Sequence, residues 1–247
     1  MNEDNLIYGT RAVLEAVKEG KELEKIFIQR GLYNPLIAEL KKELKAAAIF
    51  YQDVPAEKLN RLTNKNHQGV AAFLSSINYH SIENLLPQIF DRGDIPMLVM
   101  LDRVTDVRNM GAIVRTAECA GVHGIILPSR GGALINSDAI KTSAGALHRV
   151  PVCREDNLKQ TLEYLSESGL IIIACTEKTE KLIYNADLKV PCVIIMGSEE
   201  NGISAEYLKR ADEKVKIPLQ GTIASLNVSV AAGIVLYEAI RQRNFFR

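Results

Sequence analysis

The chain has 247 residues, 47% of them hydrophobic and 24% charged, with 30 Lys and Arg balanced by 30 Asp and Glu. That length suits one or two hydrophobic cores, with two domains expected, and the zero net charge excludes a global positive field that holds nucleic acid by charge alone. No apolar run approaches the roughly 20 residues of a membrane span, and the opening MNEDNLIYGT lacks the basic and apolar segments of a secretory signal, so a cytoplasmic protein without membrane contact is expected.

From Leu6 to about Leu74 the hydrophobic pattern alternates helix and strand. An amphipathic helix covers Thr10–Val17 and an apolar strand Lys25–Ile28; a second helix begins near Pro35 with Leu36, Ile37, Leu40 and Leu44 at helical spacing. Ile49–Tyr51 reads as the next strand. Pro55 opens a short helix to Leu62, and Gly69–Leu74 closes a small α/β domain over residues 1–78. A connecting helix, Ser81–Phe90, and the breaker-rich Asp91–Pro96 make 79–95 a linker. Residues 96–247 then carry continuous apolar runs at Met97–Leu101, Gly124–Leu127, Leu170–Cys175 and Pro191–Met196, the pattern of parallel strands buried on both faces. Helices fall between them at Asn109–Ala120, Asn157–Ser168 and Val228–Arg243. The fold class is α/β.

Cys119, Cys153, Cys175 and Cys192 form no C-x-x-C pair and read as buried reduced thiols, while His67, His80, His123 and His148 lack ligand spacing. No metal site is expected. Three clusters just past strand ends could carry chemistry, because open α/β sheets bind ligands there. In the first, Leu101 to Ala117, Asn109 reads as a helix N-cap, Met110, Ile113, Val114 and Ala117 as the buried stripe, and Arg115 lies off that stripe. Arg115 suits either a phosphate or ribose oxygen, through its fixed donor fork, or a surface salt bridge to Glu118 or Asp106. In the second, Val193 to Ile203, Gly197 and Gly202 bracket a turn whose backbone suits a ligand or an ordinary strand-to-helix connection. Glu199 and Glu200 read equally as solvated loop charges. In the third, Ile217 to Gly233, Ser225 and Asn227 stand at the head of a helix whose first turns are small, which serves ligand approach and helix packing alike. The chain lacks G-x-G-x-x-G after either first strand, the P-loop and G-x-S-x-G, so dinucleotide, nucleotide-phosphate and esterase chemistries lack their usual cradles.

In this order LDRVTDVRNMGAIVRTAECAG, IIMGSEENGIS and IPLQGTIASLNVSVAAGIVLYE resemble the three motifs of the SpoU (TrmH) family of RNA 2′-O-ribose methyltransferases, and the match runs from about Met97 to Arg243. The leading domain, with IYGTRAVLEAV, is similar to the L30e-like RNA substrate-binding domain of the RlmB branch, which modifies a guanosine of 23S ribosomal RNA. One departure is Val107, where many members have proline.

The resemblance implies a SPOUT-type catalytic domain whose C-terminal segment threads a loop as a trefoil knot, against the general rarity of knots. It implies S-adenosylmethionine as cofactor, held by backbone at Gly197, Ile217 and Leu226 with Thr176, Met196 and Ser225 close by. It implies a homodimer whose active site is completed across the interface. It gives Arg115 the catalytic role, with Asn109, Glu199, Ser225 and Asn227 orienting it and the ribose; a guanidinium is a poor free base, so positioning and oxyanion stabilisation are physically easier. RNA recognition is expected to read shape. From Asp102 to Arg154 seven basic residues (Arg103, Arg108, Arg115, Arg130, Lys141, Arg149, Arg154) face four acidic ones (Asp102, Asp106, Glu118, Asp138), a local excess that marks either a footprint or scattered solvated charge. The rival readings are an enzyme of the same family acting on transfer RNA and a non-catalytic RNA-binding protein on this fold.

Overall fold

The structure, a computed structural model, describes residues 5–47 and 49–245, which divide into two units: residues up to Asn78 with 135–137, and residues 79–134 with those from 138 onward. The first unit is built on β1 (Leu6–Tyr8), β2 (Leu23–Gln29), β3 (Gln52–Val54) and β4 (Val70–Leu74), in the order β1-β4-β2-β3. β4 runs antiparallel to β1 and β2, and β3 is parallel to β2. On one face α1 (Thr10–Lys18) and α2 (Pro35–Ala46) bury Val13, Leu14, Ile37, Leu40 and Leu44 against Ile26, Ile28, Val70 and Ala72. α2 starts where it does because Asn34 Oδ1 accepts the Ile37 N–H at 2.9 Å and Pro35 supplies a preset φ at the first helical position. On the other face Leu59 of α3 (Ala56–Leu62) packs with Phe27, Val54 and Ala71.

The expected strand at Ile49–Tyr51 is displaced by three residues. Ile49 and Tyr51 pack half-buried against the α1–α2 core, and the pairing with Phe27–Gln29 passes to the more polar Gln52–Val54, an edge strand that the apolar pattern could not mark.

The second unit has a sheet of seven strands: β5 (Tyr79–His80), β6 (Met97–Leu101), β7 (Gly124–Pro128), β8 (Val152–Glu155), β9 (Ile171–Cys175), β10 (Cys192–Met196) and β11 (Glu213–Val215), in the order β11-β9-β10-β6-β7-β8-β5 with every pair parallel. All five residues of β6 and of β10 are buried, which is why the central strands read as unbroken apolar runs. One face packs on α4 (Ile82–Asp91) and α7 (Leu158–Glu167), through Leu85, Leu86, Ile89, Leu162 and Leu165 against Leu98, Met100, Val193 and Ile195. The residues between these project to the other side by the period of two. There α5 (Val107–Cys119) packs along α9 (Val228–Phe245), while Gly111 of α5 lets α6 (Ser137–Thr142) come so close that a Cβ would stand 2.8 Å from Thr142 Cβ. α8 (Ala205–Leu208) is a single turn before β11.

Segment 79–95, expected as a linker, instead belongs to this unit. Tyr79 and His80 pair with Val152 and Cys153, and α4 buries four apolar side chains in the core. The breaker cluster is the end of α4: Gly93, at φ 76°, donates to Phe90 O and Asp94 to Ile89 O, a Schellman close rather than a domain boundary.

The C-terminal segment is tied to the loop between β9 and β10 on both sides. Ile183 N–H donates to Lys216 O and Lys216 N–H to Lys181 O, each at 2.9 Å, before the chain enters α9. Beyond, Gln242 bridges Leu188 N–H and Ala186 O, and the Arg243 guanidinium donates to the carbonyls of Leu188, Ile95, Val190 and Pro96 at 2.7, 2.8, 2.8 and 3.3 Å. No helix among the described residues is long and apolar enough to cross a membrane. Arg243→Ala is expected to lower stability by about 2 kcal/mol, because carbonyls lose a charged donor that water replaces incompletely. A urea unfolding midpoint equal to that of the parent would contradict it.

Candidate functional site

The carboxyl ends of β9, β10 and β11 open onto a cavity of about 460 Å³. That volume lies within the ~300–1,000 Å³ of small-molecule sites, and strand carboxyl ends are where parallel sheets bind ligands. The floor comes from Cys175, Thr176, Met196 and Gly197, one wall from Val215 to Ile217, and the rest from Ser225, Leu226 and the head of α9. Thr176, Met196, Gly197, Ile217, Ser225 and Leu226, the six residues expected around a cofactor, all line this one cavity. The segment 217–227 belongs to no helix or strand, so its amides and carbonyls are not committed to a ladder. Burial pushes the Cys175 thiol up to about 12, so it faces the cavity as a neutral group.

Gly197 is fixed by a close approach. After β10 the chain turns through Ser198–Gly202, with Ser198 and Gly202 exchanging backbone hydrogen bonds at 3.2 and 2.9 Å. The return leg lies so close that a Cβ at 197 would stand 2.2 Å from Gly202 C and 2.4 Å from Ile203 N. Gly202 itself, at φ 64°, takes the left-handed conformation that makes the turn tight.

The three clusters meet at Glu199. Its Oε1 accepts from Asn109 Nδ2 at 2.8 Å and from Asn227 Nδ2 at 2.6 Å, and Asn227 Nδ2 also donates to Asn109 Oδ1 at 3.0 Å. Asn227 is held from behind, because its Oδ1 accepts from Ser229 N–H at 3.0 Å and Val230 N–H at 3.4 Å as the cap of α9. Glu199 lines the cavity, so the network reaches its rim.

Asn109 is not the N-cap of α5. Asp106 is, accepting from Arg108 and Asn109 N–H, and this frees the Asn109 side chain for Glu199. Val107 then occupies the first helical position, where proline is also well suited, so the departure from the family pattern leaves the helix start intact. Arg115 is exposed and is not among the residues lining the cavity of its own chain. Neither salt bridge weighed for it forms among the described residues: Glu118 pairs with Arg149 at 3.4 Å, and Asp106 caps the helix.

Sequence reasoning missed part of the wall. Lys178 and Ile183 come from the β9–β10 loop, and Lys216 from the edge beside it, where no glycine or periodicity marks them. Lys216 Nζ donates to Glu180 at 2.8 Å and holds that carboxyl below its ordinary range. Among the described residues no group of three or more His, Cys, Asp and Glu is arranged to hold a metal ion.

Gly197→Ala is expected to cost about 1–3 kcal/mol, the usual range for forcing atoms into a filled space. A lower urea midpoint together with shifted amide resonances at Ser198 and Gly202 is the expected result; a parental midpoint would contradict the close approach.

Residues 96–237 match the SpoU rRNA Methylase family, and residues 6–80 match RNA 2′-O ribose methyltransferase substrate binding. An uncharacterized tRNA/rRNA methyltransferase of Synechocystis is 39% identical over 245 residues, covering 98% of this chain, which spans 64% of that longer relative. A protein of Staphylococcus aureus assigned to the TrmH family of tRNA/rRNA methyltransferases is 37% identical over 243 residues, 98% of each chain. Among solved structures, an AdoMet-bound rRNA methyltransferase from Sinorhizobium meliloti matches 96% of this chain and 86% of its own, with a TM-score of 0.61 at 25% identity. A parallel sheet ending in a ligand-sized cavity, the second and third motifs lining it with the first tied to its rim through Asn109 and Glu199, and these matches lead to one conclusion: the chain belongs to the SpoU rRNA methylase family.

Proposed function

We propose that this chain transfers the methyl group of S-adenosylmethionine to a ribose 2′-hydroxyl of structured RNA, with a guanosine of 23S ribosomal RNA in the cytoplasm as the target. The observation that carries the reading is the convergence of Gly197, Ile217 and Leu226 on one cavity whose rim residue, Glu199, ties Asn109 to Asn227. The donor set suits the cofactor. Uncommitted backbone of the 217–227 segment suits the hydrogen-bonding edge of an adenine, and apolar Met196 and Leu226 suit its faces. When bound, S-adenosylmethionine supplies an already activated methyl group, so the protein's work is alignment and proton management.

Within that work, backbone at Gly197, Ile217 and Leu226 would hold the cofactor, with Thr176, Met196 and Ser225 shaping the pocket. Asn109, Glu199, Ser225 and Asn227 would orient the ribose. Arg115, a pure hydrogen-bond donor, serves by gripping a phosphate and stabilising charge on the 2′-oxygen as its proton passes to solvent water. Because Arg115 does not line its own cavity, the reading includes a homodimer in which one protomer's Arg115 completes its partner's site. The exposure of Ile223 (78%), Val230 (52%) and Tyr237 (55%) along the third motif supports such an interface. The ties of the C-terminal segment to the β9–β10 loop on both sides support the trefoil knot.

A second reading, transfer RNA as substrate, is favoured by the names of the relatives, which join tRNA and rRNA. Mapping ribose methylation in total RNA from cells lacking the gene separates the two: loss of one guanosine methylation in 23S ribosomal RNA is expected, and loss confined to transfer RNA would replace the first reading by the second. In the purified enzyme, Arg115→Ala is expected to lower kcat about 10²–10³-fold while leaving cofactor affinity within a factor of about two. Near-parental turnover would remove Arg115 from the reaction.

A further inference from the structure

Asp102 and Arg103 follow β6 and do not line the cavity, yet both grip the turn that forms its rim. Asp102 is only 2% exposed, and its own N–H donates to Met196 O at 2.8 Å, placing it beside the end of β10. Its Oδ2 accepts the Ser204 N–H at 2.6 Å. The Arg103 guanidinium lies over the same carboxylate, Nε to Oδ1 at 3.0 Å and Nη2 to Oδ2 at 3.3 Å, and Nη2 also donates to Gly202 O at 3.2 Å. That carbonyl is the one that accepts from Ser198 N–H to close the turn. One guanidinium therefore spans a buried carboxylate and the return leg packed on Gly197.

Two further facts argue against an incidental surface pair. Arg103 holds φ at 55°, a left-handed conformation that a non-glycine side chain keeps only where its surroundings over-determine it. Its partner is buried, so loss of the guanidinium leaves a carboxylate out of water and short of a cation. The fork matters as well as the charge, because a lysine ammonium cannot reach carboxylate and carbonyl in the same planar geometry.

We infer that Asp102 and Arg103 form a clasp that sets the 198–204 turn for the methyl donor, which makes Arg103 a positioning residue; this rests on the function proposed above. The turn supplies Ser198 to Gly202 to the cavity lining, so loosening it widens the rim without removing a group that touches the ligand. The effect belongs to cofactor affinity, not to the chemical step.

The test uses the full-length protein, calorimetric titration with S-adenosylhomocysteine, methyl-transfer kinetics and amide hydrogen exchange. Arg103→Ala is expected to raise the Kd and the KM for the methyl donor about tenfold, to leave kcat at saturation within about twofold, and to speed exchange at Gly202 and Ser204 with or without ligand. Arg103→Lys is expected to remain weak. The double variant Asp102→Asn with Arg103→Ala removes the uncompensated carboxylate, so its melting temperature is expected to return toward the parent while its affinity stays low. A parental Kd in Arg103→Ala, or full recovery in Arg103→Lys, would overturn the clasp. Failure of the parent protein to bind S-adenosylhomocysteine would instead defeat the functional reading, and unchanged exchange at Gly202 and Ser204 would still overturn the clasp in that case.

Discussion

The backbone of Gly202 and Ile203 occupies the space where a side chain at position 197 would begin, and the site is organised around that closeness. Only glycine lets the chain leave β10, turn in five residues and return against itself. The turn brings Glu199 up between α5 and the head of α9, where its carboxylate takes an amide from each. Without the return leg, Ile203 would also leave the core beneath the sheet, so the loop that borders the cavity is anchored by the same burial that stabilises the fold.

Parallel topology places the rest. β6, β9, β10 and β11 all end on the same side, so residues distant in sequence, from Asp102 to Asn227, arrive at the same end of the sheet. Backbone in 217–226 lies outside helix and strand and needs water or a ligand for its polar groups, and its placement over a cavity lets one segment serve both requirements. The C-terminal helix is held in place by Gln242 and Arg243, which bind the β9–β10 loop and, for Arg243, also the carbonyls of Ile95 and Pro96 before β6.

The central strands were legible because both faces are buried and the apolar runs are continuous; Met97–Leu101 was read to the residue. The outer strands were not. The edge strands β5 and β11 and the adjoining β8 are short and partly polar, and pairing partners rather than composition define them. The same limit moved β3 past Ile49–Tyr51 and hid the membership of 79–95 in the second unit, since a helix closed by a glycine and a domain boundary look alike in sequence. In the site, glycines and the small-residue helix head carried signal. The cap at Asp106 was misassigned to Asn109 because both residue types cap well and lie three positions apart. Arg103 stood out in sequence only as one of seven basic residues, as its left-handed backbone and its fork to Gly202 exist only once β6 and β10 lie side by side.

The central proposition is that the cavity at the ends of β9, β10 and β11 receives the methyl donor through backbone on three separate segments. Amide chemical-shift mapping during titration with S-adenosylmethionine tests this most directly. The expected result is a single saturable site whose largest shifts fall on Gly197, Ile217 and Leu226 and the residues beside them. Shifts centred elsewhere on the chain, or a spectrum that the ligand leaves unchanged, would contradict the account.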